Sequence, residues 1–277
     1  MFRIKKYFCT GLHYCLMLVI GIVMLMPIGW MLGTSMRQSR NSFKLPPSFW
    51  PTEWNPDNFR QVFTAIPIVR FTLNSLFVAV VSVVLMVFLT SLAAYGFTRL
   101  RFKGKNALFV LMLAGLMIPQ QSISIPVFLI IKKFGLIDSP WSLVATSIYY
   151  PLGLFMMRQF MMTIPRSYDE AAVCDGAGRL QIYFRIILPM SKTAIIVTAV
   201  MHFINVWNNF FNAMIFINST DKMTLPLGIT LLNTTNGNSN MPLITAAVLL
   251  TLIPPLLIYL FGQKYLIQGN MTAGIKG

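Results

Sequence analysis

Three groups of side chains are placed to act on another molecule. His202, Asn205, Asn209 and Asn212 recur at intervals of three and four, with Asn208 beside them, so a helix through this stretch presents the set on one face. Carboxamides donate and accept hydrogen bonds without carrying charge, which suits them to hydroxyl-bearing solutes, and Trp207 or Tyr149 adds a flat apolar face. Amides at this spacing also glue membrane helices together, so the pattern leaves pathway lining and packing both open. Gln120 and Gln121 form the second group beside Pro119, where a helix break inside a membrane would turn backbone groups toward a pathway, for gating or for binding.

The third group lies in the segment from Arg158 to Lys192, RQFMMTIPRSYDEAAVCDGAGRLQIYFRIILPMSK. Pro165 ends what precedes it, and Ser167 with Glu170 three residues on fits a capping box at a helix start. Asp169 and Glu170 would sit at the positive end of that helix dipole. Ala171 and Ala172 then leave a low surface that a second protein can approach, Gly176 and Gly178 permit a sharp turn, and a short second helix runs to Leu188 and Pro189. The same pattern fits an amphipathic connector lying on a lipid surface.

Bond-breaking chemistry has no comparable foothold. The seven carboxylates and two histidines form no cluster of acid, base and nucleophile in the sequence. Cys9, Cys15 and Cys174 are odd in number and lack metal spacing, so neither a zinc site nor a disulfide framework is indicated. There is no G-x-x-x-x-G-K-[ST] phosphate cradle; Gly104-Lys105 is the nearest fragment and lacks both the upstream Gly and the following Ser or Thr.

The elements that must hold these groups are set by composition. The chain has 277 residues, 56% hydrophobic and 10% charged, against about 25% charged in ordinary soluble domains. Its mean hydropathy is +0.69. A bilayer core of about 30 Å needs about 20 apolar residues per helix. Six stretches qualify, near Tyr14 to Gly33, Phe71 to Phe97, Ala107 to Ile131, Trp141 to Met157, Thr193 to Ile217 and Pro242 to Gly262. The expectation is an all-α integral membrane protein of one domain over 1–277, with a connecting loop at 158–192 and a tail at 263–277. Pro27, Pro119, Pro126, Pro254 and Pro255 are expected to interrupt or kink the spans. The first apolar run is too long for a secretory signal and lacks a cleavage site.

The formal charge of +15 lies in short basic clusters between uncharged stretches, not in one patch, which argues against nucleic acid. Placing both termini in the cytoplasm puts most of the 22 Lys and Arg inside, as the positive-inside rule favours. Glu53, Asp57, Asp138 and Asp221 then fall outside and Asp169, Glu170 and Asp175 inside. No carboxylate lies within a span, which weighs against an ion-coupled carrier.

Glu170-Ala171-Ala172, then Asp175-Gly176-Ala177, then Ile186-x-Leu188-Pro189 resembles the EAA loop of ABC importer permeases. IPQQSISIPVFLIIKKFGLID at 118–138, VWNNF at 206–210 and GNMTAGIKG at 269–277 are similar to the carbohydrate branch that includes the maltose and glycerol-phosphate permeases. The resemblance covers nearly the whole chain and is weakest before about residue 59. It departs at Gly178, where Ser is frequent, and at Thr193, where Pro often follows the Lys.

The resemblance implies a MetI-like permease fold, with a cytoplasmic coupling helix between spans four and five that docks on an ATPase. It implies a second, non-identical permease, two ATP-binding cassette ATPases, an extracytoplasmic solute-binding protein and a carbohydrate cargo, in a bacterial or archaeal cytoplasmic membrane. ATP and Mg²⁺ would belong to the ATPases, with no cofactor and no catalysis in this chain. The tail 269–277 would reach between the ATPases, and the loop 218–240 toward the binding protein. Glycerol phosphate or a polyol is the alternative cargo; a phosphate would call for a pathway cation, and Arg70, near a span end, is the candidate. An autonomous channel, an ion-coupled carrier or a membrane-embedded enzyme would leave the EAA-like loop without a purpose.

Overall fold

The computed structural model describes residues 2–38, 49–51, 53–234 and 240–274, and among them there is no β-strand. In chain order the helices are α1 (Phe2–Ser35), α2 (Asp57–Ala65), α3 (Ile68–Arg99), α4 (Lys105–Ala114), α5 (Ser124–Lys133), α6 (Pro140–Ser147) and α7 (Pro151–Thr163). They continue as α8 (Ser167–Cys174), α9 (Arg179–Ile182), α10 (Leu188–Met190), α11 (Lys192–Trp207), α12 (Phe210–Phe216), α13 (Leu225–Gly228), α14 (Leu231–Thr234) and α15 (Met241–Gly274). A π-helical turn, Tyr183–Ile187, joins α9 to α10, and 3-10 turns cover Gln120–Ile123 and Thr220–Lys222.

The chain divides into two compact units, Met1–Ile68 with Gly228–Leu252, and Val69–Leu227 with Ile253–Gly277. In the first, α1 exposes Leu12, Tyr14, Leu16, Met17, Leu18 and the apolar residues that follow on every side. A helix apolar all round has lipid or another membrane helix as its solvent. Near its end Asn58 of α2 is buried and donates to the carbonyls of Ser35 and Arg37, each at 2.8 Å, satisfying groups that α1 leaves open.

Three stretches, Thr10–Ser35, Ile68–Arg99 and Met241–Tyr265, are continuous helix long and apolar enough to cross a membrane. The other three expected spans are broken. The 107–131 stretch stops at Ala114 and resumes through the 3-10 turn after Pro119. Pro126 is harmless in the first turn of α5, where its missing N–H has no intrahelical partner. The 141–157 stretch breaks before Pro151, because the residue ahead of a proline avoids the helical region; Tyr150 sits at φ −130, ψ 84. The 193–217 stretch breaks at Asn208–Asn209, and α11 meets the Arg179–Met190 helix at 74°. Conversely, Pro27, Pro254 and Pro255 lie inside unbroken helices, so the interruptions expected there do not occur.

The core of the second unit gathers Ala94, Phe97, Met157, Met161, Tyr183 and Ile187, drawn from α3, α7 and the π turn. The 158–192 segment is thereby packed into the bundle on one side instead of lying loose on its surface. Residues 235–239 of the expected binding-protein loop and 275–277 of the expected tail lie outside the described residues.

Candidate functional site

The 158–192 segment hangs on a stripe of α3 that the sequence reading missed. Ser91, Tyr95 and Arg99, four residues apart, share one helix face. Ser91 Oγ and Tyr183 Oη are 2.8 Å apart, Tyr95 Oη donates to the Arg179 carbonyl at 3.0 Å, and Arg99 Nε lies 2.9 Å from Asp169 Oδ2. Arg99 also donates to the Ile164 carbonyl at 2.9 Å, so one side chain fixes both the end of α7 and the start of α8. Burial raises the pKa of Asp169, outweighing the pull of Arg99 and Arg166 in the opposite direction.

α8 starts one residue earlier than expected. Ser167 is inside the helix, the cap position is Arg166, and no side chain caps it, so the Ser167–Glu170 capping box does not form. Asp169 is turned to Arg99 instead. The far end follows the expected pattern more closely. Ala177 N–H donates to Ala172 O at 2.9 Å and Gly176 N–H to Val173 O at 3.0 Å, a Schellman motif with Gly176 at φ +80. Gly178 is extended at φ −74 and requires no glycine; its N–H is taken by Gln181 Oε1 at 3.0 Å.

Ala172 is 7% exposed and belongs to the core, so only Ala171 of the pair offers the low surface expected of both. Glu170, Ala171, Asp175, Gly176 and Pro189 are exposed, while Ala177, Ile186 and Leu188 pack against the core. Tyr168, Val173, Leu180 and Phe184 add exposed apolar and aromatic surface to the same segment.

The amide groups come together, though not on one helix. α11 ends at Trp207, Asn208 is its cap, and Asn209 begins α12, accepting the Asn212 N–H at 3.1 Å. Gln120 Nε2 donates to Asn212 Oδ1 at 2.8 Å, and Asn212 Nδ2 reaches Thr146 Oγ1 at 3.4 Å. These residues border a cavity of about 530 Å³, with Asn205, Asn209, Ser124, Tyr149, Tyr150 and His202 also on its wall. No Asp, Glu, Lys or Arg is among its described lining residues.

Asn212 is 5% exposed and has both amide atoms engaged, which makes it a rivet of the wall, whereas Asn205 is exposed. Gln121 and Asn208 do not line the cavity. Trp207 is buried and stacks on Phe203, so of the two expected aromatic faces only Tyr149 is offered. Tyr149 Oη donates to the Met112 carbonyl, and Gly115 makes room, since a Cβ there would meet that hydroxyl at 2.6 Å.

One end of this wall is clasped. Asp138, at φ +57, accepts from Asn218 N at 3.0 Å, Ser219 N at 2.8 Å, Ser219 Oγ at 2.5 Å and Lys222 Nζ at 2.9 Å. Its own N–H donates to Phe216 O at 2.8 Å. The Ser219 hydroxyl first, then the Ser219 N–H, Lys222 and Asn218, hold its carboxyl well below the usual range. Arg70, the expected candidate for a phosphate, is instead paired with Asp221 at 2.9 Å. Asn74 donates to the carbonyls of Asp221 and Met223, both at 2.9 Å.

Known proteins of the same kind supply the context for this geometry. The chain is 34% identical over 273 residues to the inner membrane ABC transporter permease protein YcjP of Escherichia coli K12, covering 95% of each. It is 32% identical over 263 residues to the arabinooligosaccharides transport system permease protein AraQ of Bacillus subtilis, covering 94% of this chain and 93% of that one. Its fold matches a chain of a bacterial ABC transporter involved in the import of the acidic polysaccharide alginate, with a TM-score of 0.79 at 22% identity, over 94% and 97% of the two chains. The sequence profile of one family spans residues 86–270, from the middle of α3 through both the amide-walled cavity and the mounted loop. The chain therefore belongs to the binding-protein-dependent transport system inner membrane components.

Proposed function

We propose that the chain is the permease subunit of an ATP-driven importer for an uncharged carbohydrate, an oligosaccharide by preference, handed over by a solute-binding protein. The observation that carries the choice of cargo is the cavity: amides, hydroxyls and tyrosines form its polar wall and no charged side chain is among its described lining. Such groups suit sugar hydroxyls, whereas a glycerol phosphate would be met by Arg or Lys. Relatives named for oligosaccharide transport support the reading. A structural neighbour solved with its alginate-bound periplasmic protein supports a binding-protein partner, although that cargo is acidic.

In this reading the broken stretches 105–133, 140–163 and 192–216 complete three further crossings beside the three continuous helices. Both termini and the 158–192 segment then face the cytoplasm. Glu170, Ala171, Asp175 and Gly176 form the exposed side of a coupling element, with Tyr168, Val173, Leu180 and Phe184 as apolar anchors for an ATPase cleft. Ala172, Ala177, Ile186 and Leu188 join that element to the bundle, and Pro189 leads to the bend before α11. The ATPases, which supply ATP and Mg²⁺ chemistry, and a second, different permease complete the assembly. The whole chain acts as one transmembrane domain.

The test is purification of the chain from its native membranes in mild detergent, with identification of what accompanies it by mass spectrometry. A P-loop ATPase and a second permease are expected. A chain that purifies alone and passes solute after reconstitution without ATP would overturn the importer reading.

A further inference from the structure

The end of α3, the turn into α4 and the end of α7 enclose a cleft of about 360 Å³ that is separate from the amide-walled cavity. Lys105, Arg158 and Arg166 line it, with Asn106 and Thr163, and no carboxylate is among its described lining; the Lys105 ammonium also donates to the Leu100 carbonyl at 3.1 Å and the Thr98 carbonyl at 3.5 Å, which tethers it there with one N–H left over. Arg99 is also present, but its charge is engaged by Asp169. Arg158 is held flat by Phe109, whose ring centre lies 4.1 Å from the guanidinium carbon. Its Nε is nevertheless buried with no hydrogen-bond partner among the described residues. A guanidinium fixed by an aromatic plate and left with unused donors is preorganised for an oxyanion, and phosphate esters match its planar fork.

The cleft lies at the end of Ile68–Arg99, a helix long and apolar enough to cross a membrane. Phe97 and Met162 form its apolar wall, Met162 is exposed, and so is Phe102, whose ring centre lies 6.1 Å from that of Phe97. Cations at a helix end beside exposed apolar side chains match the two halves of an amphiphile. A free inorganic anion would use only the first half. We propose that this cleft is a binding site for an anionic membrane phospholipid, its phosphate held by Arg158, Arg166 and Lys105 and its acyl chains lying against Met162 and the adjoining apolar surface. The inference rests on the chain being a membrane protein and not on its cargo or its ATPase.

The test uses the full chain in neutral detergent and native mass spectrometry, with phosphatidylglycerol, phosphatidylcholine and inorganic phosphate as probes. Phosphatidylglycerol should be retained over phosphatidylcholine and should resist displacement by inorganic phosphate. Arg166→Gln, at an exposed position, should lower that preference about fivefold, the effect of one basic side chain near an anionic surface. Arg158→Gln should do the same, and Arg158→Lys, which keeps the charge but not the planar fork held on Phe109, should recover the preference only in part. Arg185→Gln, an exposed cation outside the cleft, should leave it unchanged. Equal retention of the two lipids, equal loss on Arg185→Gln, or ready displacement by inorganic phosphate would overturn the proposal. So would an Arg166→Gln chain that keeps its lipid preference but loses its ATPase, which would assign the cations to an acidic partner. Lipid preference is read on this chain alone, so an absent ATPase partner in the wild type bears only on the importer reading.

Discussion

Arg99 is 8% exposed and Asp169 is 19% exposed, so removing one partner strands the other in a largely dry place, but the two losses are unequal. Burial already pushes the Asp169 pKa upward, so Asp169→Asn removes a charge whose desolvation Arg99 and Arg166 offset only in part. Arg99→Gln leaves a carboxylate with less to offset its desolvation, at a cost of about 1–3 kcal/mol. Asp169→Asn should therefore melt within about 1 kcal/mol of wild type. The Arg99→Gln chain should also show a steeper pH dependence than wild type, since Arg99 no longer offsets the upward shift. An acid whose folded pKa lies above its unfolded value adds stability at low pH and loses it as pH rises through the folded value. Melting midpoints for Arg99→Gln should thus be higher at pH 5 than at pH 8, and a flat profile would show that Asp169 is solvated after all. None of this pairing was readable beforehand, because Arg99 and Asp169 are seventy positions apart and each looks like an ordinary end-of-helix charge.

At the level of elements, the Schellman turn and the Asp138 clasp are held by backbone conformations that side chains resist. A Cβ at Gly176 would meet nothing within 4 Å, so any cost of substitution comes from φ +80 alone, about 1–2 kcal/mol for most residues and less for Asn. Gly176→Leu should lower the amount of ATPase recovered with the subunit more than Gly176→Asn does, at equal membrane insertion; equal recovery would detach the turn from coupling. The clasp is governed by the opposite sign of pKa shift. With the folded value depressed, its contribution is complete above the unfolded pKa of about 3.9 and is lost only in stronger acid. Asp138→Asn should destabilise equally at pH 5 and pH 8, whereas a difference growing with pH across that range would mean that Asp138 titrates there. The turn at Gly176 was legible because helix, cap and glycine lie within a few residues. The break at Tyr150 has a visible cause in Pro151, although a hydropathy window sums across it, whereas the break at Asn208–Asn209 follows no proline and carries no such mark. Ala172 was assigned outward for a related reason: small size is visible in sequence, direction is not.

For the whole molecule, a transport cycle requires the cavity to be wet in at least one state. In a background lacking Cys9, Cys15 and Cys174, Asn205→Cys should react with a small water-soluble thiol reagent at a rate that changes with ATP, while Asn212→Cys should react far more slowly because position 212 is buried. Equal protection of both with and without ATP would make the cavity a dry packing defect. The bend at Ser191 bears on how such a change could be driven. α11 has 16 residues and leads from that bend to Trp207, just before the break at Asn208–Asn209. At 1.5 Å per residue it is a rod about 24 Å long, so a rotation of only about 5° at its base carries its tip through about 2 Å. That is more than half a hydrogen-bond length at the Asn209 end of the wall, and it arises as leverage, with no helix needing to stretch, unwind or slide.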